Sequence, residues 1–239
     1  MNTVISPVRY RYSLAASEIE SRTPNILDVG GYQSRRIHLQ HHFDALSYTS
    51  LNIGPAWYKN DIADVIFDGV DIPFADNQFE YVISVDTLEH VPLSHRQRLI
   101  EEMYRVASKS LILVCPYDNG QKIHERYIRD YCELFELSVP FSLQEHLKFG
   151  LPTANEIATY FAQKIHRIHF RTNKHLYWAF QFAMLINCRA LGDKAESANL
   201  ELHSLMEATF AQMEESVDFS NSYRMVIVTS KENSTQMPK

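Results

Sequence analysis

Asn25-Ile26-Leu27-Asp28-Val29-Gly30-Gly31-Tyr32-Gln33 is an apolar run behind Pro24 that meets an acid and then two glycines. Ile26, Leu27 and Val29 read as one short buried strand. Gly30 and Gly31 supply backbone that adopts positive φ and approaches a ligand with no side chain in the way. Beyond them Ile37, Leu39 and Phe43 recur at roughly helical spacing, which predicts a helix whose free N–H groups face that ligand. Strand, glycine turn and helix make the first half of a doubly wound fold, in which ligands sit at the carboxyl ends of the strands.

The glycines do not complete a dinucleotide fingerprint, because Gly31 is followed by Tyr32, Gln33, Ser34 and Arg35, with no third glycine. A nicotinamide oxidoreductase is disfavoured on that ground. An ordinary strand-to-helix turn would explain the glycines equally well. Asp28 shifts the balance. A carboxylate before such a turn suits a cofactor with a cationic or hydroxyl-bearing end and sits badly with a pyrophosphate.

Working outward, a second strand is expected from Ala45 to Ile53, ending at Gly54-Pro55, and a third at Val65-Ile66-Phe67, ending at Asp68-Gly69. A turn rich in Pro, Asp and Asn, Ile72 to Phe79, delivers a fourth from Tyr81 to Val85. Asp86-Thr87-Leu88-Glu89-His90-Val91 lies just past its carboxyl end. Leu99, Met103 and Val106 mark a helix over 94–107, and Leu111 to Cys115 is a fifth buried strand. Strands separated by helix-length segments indicate a parallel sheet.

At 239 residues the chain accommodates a single α/β domain with an elaboration, and its 45% apolar and 22% charged residues are ordinary for a globular protein. A formal charge of −6 with no basic run argues against nucleic acid as a partner. Cys115, Cys132 and Cys188 form no C-x-x-C pair, so neither a disulfide framework nor a structural zinc site is indicated, and a reducing, cytoplasmic setting is expected. No run approaches the roughly 18 apolar residues of a membrane span, and Arg9 and Arg11 interrupt any signal-peptide core.

Asp28-Val29-Gly30-Gly31, Asp68 to Phe74, Asp76 to Ser84 and Leu88-Glu89-His90-Val91, in that order, resemble a class I S-adenosylmethionine-dependent methyltransferase of the type 11 group, over roughly residues 24 to 117. The resemblance implies a Rossmann-like α/β fold: a doubly wound, seven-stranded sheet, mostly parallel, with an antiparallel last strand. It implies S-adenosylmethionine as cofactor. Asp28, Gly30 and Gly31 then belong to the turn around its methionine portion, Asp68 accepts a hydrogen bond from the adenine amine, Gly69 gives the ring room, and Val85 and Asp86 line the open edge near the reactive methyl. Asn52 stands where the family has an acid gripping the ribose hydroxyls, and an amide lacks the charge-assisted strength of a carboxylate. For Asp68 the plainer reading is a loop acid capping a turn.

The sulfonium of such a cofactor is already activated, so the protein must align the reactants and exclude water. A hydroxyl acceptor also needs a base, and His90 is the candidate, with Asp86 beside it; bracing of the turn is the alternative for His90. Asp86 with Asp118-Asn119 offers oxygen ligands for magnesium, but Pro116-Tyr117 and a common Asp-Asn-Gly turn intervene, and no metal is expected.

In the second half, 122–137 reads as a helix, Phe141 to Gly150 as a loop containing His146, and Thr153 caps a helix to about Phe161 with Glu156 at its third position. Lys164 to Arg171 reads as a sixth strand and Tyr223 to Val228 as a seventh. A helical insertion at about 172–220 separates them, carrying the aromatic run Leu176 to Ile186 and three further histidines nearby, His166, His169 and His175. A self-buried hairpin, a homodimer interface and a substrate lid are its open readings. The expected organisation is an N-terminal leader and helix over 1–23, the methyltransferase domain over 24–230 and a disordered tail over 231–239. Leu147 to Ile157 is similar to methyltransferases of glycan synthesis, which ranks a sugar hydroxyl first among small-molecule acceptors. Asn52 and the depleted glycine loop keep a rival open: an inactive cofactor-binding homologue serving as a regulatory subunit.

Overall fold

The computed structural model describes residues 7–54, 61–118, 123–134, 136, 138–139, 141–161, 168–175 and 222–231. In chain order the elements are α1 (Pro7–Ala16), β1 (Asn25–Val29), α2 (Arg36–Leu39), β2 (Ser47–Asn52), β3 (Val65–Ile66), β4 (Phe79–Val85), α3 (Leu93–Val106), β5 (Ala107–Pro116), α4 (Ile123–Leu134), α5 (Phe141–Phe149), α6 (Ala154–Phe161), β6 (Ile168–His175) and β7 (Ser222–Ser230). The sheet order is β3-β2-β1-β4-β5-β7-β6. β3, β2, β1, β4 and β5 run parallel, and β7 enters antiparallel against β5, Leu113 opposite Ile227.

The strands at the centre are covered on both faces, which is why they are continuously apolar and not alternating. Leu27, Val82, Leu111 and Leu113 face one layer with Leu99, Ile100 and Met103 of α3, while Ile26, Ile83, Ile112 and Val114 face another with Tyr12, Ala15 and Ala16 of α1. The chain order reverses between β1 and β4, and such a switch point leaves a crevice at the strand ends.

The structure departs from the sequence expectations in four places. The segment after the glycine turn is only three short helical pieces over residues 33–42, of which α2 is the middle one; Leu39 is buried but Ile37 is 55% exposed, so the apolar spacing there never formed a full stripe. Residues 141–149 form helix α5 and not a loop. Leu, Gln, Glu and Lys favour it, and Gly150, at φ 72, ends it with its N–H donating to the His146 carbonyl at 2.9 Å. The sixth strand is set four residues later than expected, so 172–175 belong to β6 rather than to the insertion. α1 is also more than a leader, since it fills the second face of the sheet.

The rest of the insertion, including the aromatic run, and residues 232–239 lie outside the described residues. So do His166 and Asn119. The capping box at α6 formed as expected: Glu156 N–H donates to Thr153 Oγ1 at 3.0 Å, and Thr153 N–H to Glu156 Oε2 at 3.3 Å.

One buried cation ties the later helices to the sheet. Arg96 on α3 is 1% exposed; its guanidinium donates to the carbonyls of Val91 (3.0 Å), Phe149 (3.2 Å) and Gly150, with Glu156 3.5 Å away. It fixes the end of α5 against the start of α3. No helix among the described residues is long and apolar enough to cross a membrane.

Candidate active site

A cavity of about 700 Å³ opens at the carboxyl ends of β1, β2 and β4. Gly30, Asn52, Gly69, Val85, Asp86 and His90 line it. Asp28, Gly31 and Asp68 do not, and each is occupied elsewhere. Asp28 is fully buried, and its Oδ2 accepts from the hydroxyls of Tyr12 and Tyr48, each at 2.7 Å. Burial raises its carboxyl to about 6, against the opposing pull of the two tyrosine hydrogen bonds. Asp68 is exposed, and Oδ1 accepts the N–H groups of Val70 and Asp71 at 2.8 Å each, an Asx turn.

Both glycines of the turn are demanded by close approach. Gly30 sits at φ 87, and a Cβ there would fall 2.1 Å from Thr87 Oγ1; a Cβ on Gly31 would fall 2.1 Å from Asp28 Oδ2. The turn is thus pressed between β4's exit and the buried acid, which leaves the main chain of Gly30 at the cavity wall.

Asn52 belongs to the same construction. Its Nδ2 donates to the Gly30 carbonyl (2.8 Å) and the Gly31 carbonyl (3.3 Å), while its Oδ1 accepts the Ile53 N–H at 2.8 Å. A carboxylate has no proton to give those carbonyls. The amide at this position therefore serves the glycine turn, a role a ribose-gripping acid does not fill.

Asp86 follows β4 at φ 52, a left-handed conformation that aspartate tolerates better than most residues. Its carboxylate is ion-paired to Arg11 from α1 and Arg224 from β7. Burial alone would raise the Asp86 carboxyl, but the two guanidiniums outweigh burial and hold it below the usual carboxylate range. An acid so held is a poor proton acceptor. It joins α1, β4 and β7 at the cavity wall instead.

His90 lies in a short 3-10 turn, Leu88–His90, and its Nδ1 is 2.9 Å from Oε2 of Glu145 on α5. Both residues line the cavity. Beneath them Glu89 is 1% exposed, with Oε2 buried and without a hydrogen-bond partner. Burial first, and then the charge of Asp86, push the Glu89 carboxyl up to about 8. His146, 6% exposed, has its ring centroid 4.9 Å from that of His90, the two planes tilted by 48°.

Arg11, Tyr12, Thr87, Glu145 and Arg224 were not singled out from the sequence. Thr87 and Glu145 each sit beside a residue that was, Asp86 and His146; Arg11 and Tyr12 reach the cavity from α1, and Arg224 reaches Asp86 from β7, elements that only the folded sheet brings together.

The methyltransferase domain family matches residues 30–115. An ajmaline N-methyltransferase from Rauvolfia serpentina is 27% identical over 108 residues, 40% of this chain, and the match spans only 36% of that protein's length. Among solved structures, a phosphoethanolamine N-methyltransferase 2 from Haemonchus contortus superposes with a TM-score of 0.57 at 14% identity, over 93% of this chain and 53% of that one. A SAM-dependent methyltransferase from Archaeoglobus fulgidus does so with a TM-score of 0.52 at 9% identity, over 94% and 93%. At such identities the two superpositions speak for the fold alone.

Proposed function

We propose that the chain, whose residues 30–115 match the methyltransferase domain family, is a class I S-adenosylmethionine-dependent methyltransferase that methylates a small-molecule acceptor, most simply at a hydroxyl. The observation carrying this reading is the His90–Glu145 pair at the wall of a cofactor-sized cavity. The cavity suits the cofactor. Ile53 and Phe67 give an apolar face for the adenine beside Gly69, Gly30 brings bare main chain, and Arg35 supplies positive charge for a carboxylate end. When bound, S-adenosylmethionine supplies an activated methyl group.

The protein's own part is orientation and proton handling. Glu145 accepts from Nδ1–H of His90, which fixes the tautomer and leaves Nε2 to take the acceptor's hydroxyl proton. Asp86, neutralised by two arginines, keeps the wall rigid and takes no proton. A sugar hydroxyl is our first choice of acceptor, on the likeness of residues 147–157 to glycan methyltransferases. An amine is the second, favoured by the names of the N-methyltransferases to which the chain is similar.

The test is mass-spectrometric methyl transfer to panels of sugar, phenol and amine acceptors, beside calorimetric titration with S-adenosylhomocysteine. His90→Gln should keep cofactor affinity and lose about a hundredfold or more in turnover. Full turnover in that variant would remove the base. Cofactor binding with no transfer to any acceptor would favour the inactive, regulatory homologue.

A further inference from the structure

The geometry points to a divalent transition-metal site at Glu89, His90 and His146, on the side of the cavity where Glu145 lies. One ligand atom from each of the three lies within 4.8 Å of the others. Ligands around a zinc-like ion held at about 2.0–2.2 Å stand about 3–4 Å apart, so small side-chain rotations close the set. The donors come from two places in the chain, the 3-10 turn after β4 and helix α5, which the Arg96 contacts hold together.

Three features distinguish the cluster from scattered polar residues. Glu89 Oε2 is buried with no hydrogen-bond partner, although burial strips it of the water that would otherwise satisfy it. Two imidazoles with one carboxylate is a donor set suited to zinc, iron(II) or cobalt(II), and poorly suited to magnesium or calcium. Glu145 at 2.9 Å from His90 Nδ1 is the outer carboxylate that commonly orients a ligating histidine, leaving Nε2 for the ion.

The site differs from the one the sequence suggested at Asp86 and Asp118-Asn119. Asp86 is closed to a cation by Arg11 and Arg224. Because His90 also lines the cavity, an ion on these three residues would keep a coordination position facing the acceptor. A hydroxyl bound there ionises near neutral pH and gives its proton to solvent at the cavity mouth. In the metal-bound protein His90 is then a ligand, and the ion replaces it as the means of removing the proton. This selects oxygen acceptors, above all those with two adjacent oxygens. What the ion would do rests on the methyl-transfer reading; whether it binds does not.

The experiment uses the full chain, stripped with chelator and titrated with Co²⁺ and with Zn²⁺, read by visible absorption and by metal analysis after gel filtration. One equivalent of Co²⁺ with the absorption of a low-coordinate imidazole site is expected. Glu89→Gln and His146→Gln should abolish stoichiometric uptake, and Glu145→Gln should weaken it by roughly 10–100-fold. Circular dichroism and a cooperative thermal transition check that each variant is folded. No uptake by the folded wild type overturns the proposal, as does uptake that survives in both Glu89→Gln and His146→Gln. Loss of cofactor binding with metal uptake intact would count against the methyl-transfer reading alone.

Discussion

Asp28 occupies the space a side chain on Gly31 would need: a Cβ there would lie 2.1 Å from Asp28 Oδ2. Three residues apart, the acid and the glycine form one packing unit, since the carboxylate is held rigidly by Tyr12 and Tyr48 and cannot step aside. Gly31→Ala should therefore destabilise the fold by about 1–3 kcal/mol through overpacking. Urea unfolding followed by circular dichroism measures it; an unchanged midpoint would show that the turn yields.

The same acid gives a pH signature. Burial raises the folded-state carboxyl of Asp28 to about 6, above its unfolded value, so the native state binds the extra proton. Its contribution favours the fold below the unfolded carboxylate value and is lost as pH rises from about 4 to about 6, a swing on the order of 3 kcal/mol. The stability of the wild type minus that of Asp28→Asn should fall across that window. A flat difference would mean that the carboxyl titrates normally.

Asp86 carries the opposite sign. Its folded-state carboxyl is held low, so its contribution is present above the unfolded carboxylate value and is lost as pH falls through the folded one. Asp86→Asn leaves the Arg11 and Arg224 guanidiniums facing a neutral amide, and breaking this partly buried pair costs about 1–3 kcal/mol. Thermal unfolding at neutral pH reads the loss, and at acid pH the two proteins should converge.

Asn52→Asp restores the acid that the family resemblance leads one to expect, and it should do harm. The carboxylate would face the Gly30 and Gly31 carbonyls to which Nδ2 now donates. A loss of about 1–3 kcal/mol in stability is expected from unmaking those bonds. Tighter S-adenosylhomocysteine binding without a loss of stability would show that the amide is dispensable.

The strand ends around the cavity were legible because each was marked by residues with few alternatives: Gly30-Gly31 after β1, Gly54 after β2, Asp68-Gly69 after β3. The family motif then supplied the order. What the sequence concealed was what those residues do once packed. Asp28 and Asp68 read as ligand groups, yet neither lines the cavity: Asp28 Oδ2 accepts from two tyrosine hydroxyls while its Oδ1 is buried without a partner, and Asp68 Oδ1 accepts N–H groups two and three residues on. Arg11 and Arg224 were invisible for the converse reason. They lie 75 residues before and 138 after Asp86, a distance that no periodicity spans. Helix α5 was missed because Gly150, which ends it, is also the mark of a loop.

Arg96 never reaches the cavity, yet it holds the carbonyls on both sides of the junction between Phe149 and Gly150. Helix α5 is in effect a cantilever clamped at that end, and Glu145 and His146 ride one turn inward from the clamp. A slight tilt about the clamp displaces them while β1, β2 and their glycine turn stay where they are. On the methyl-transfer reading, acceptor preference is therefore open to change through substitutions around the anchor, away from the cavity, with the glycine-turn half of the molecule left as it is.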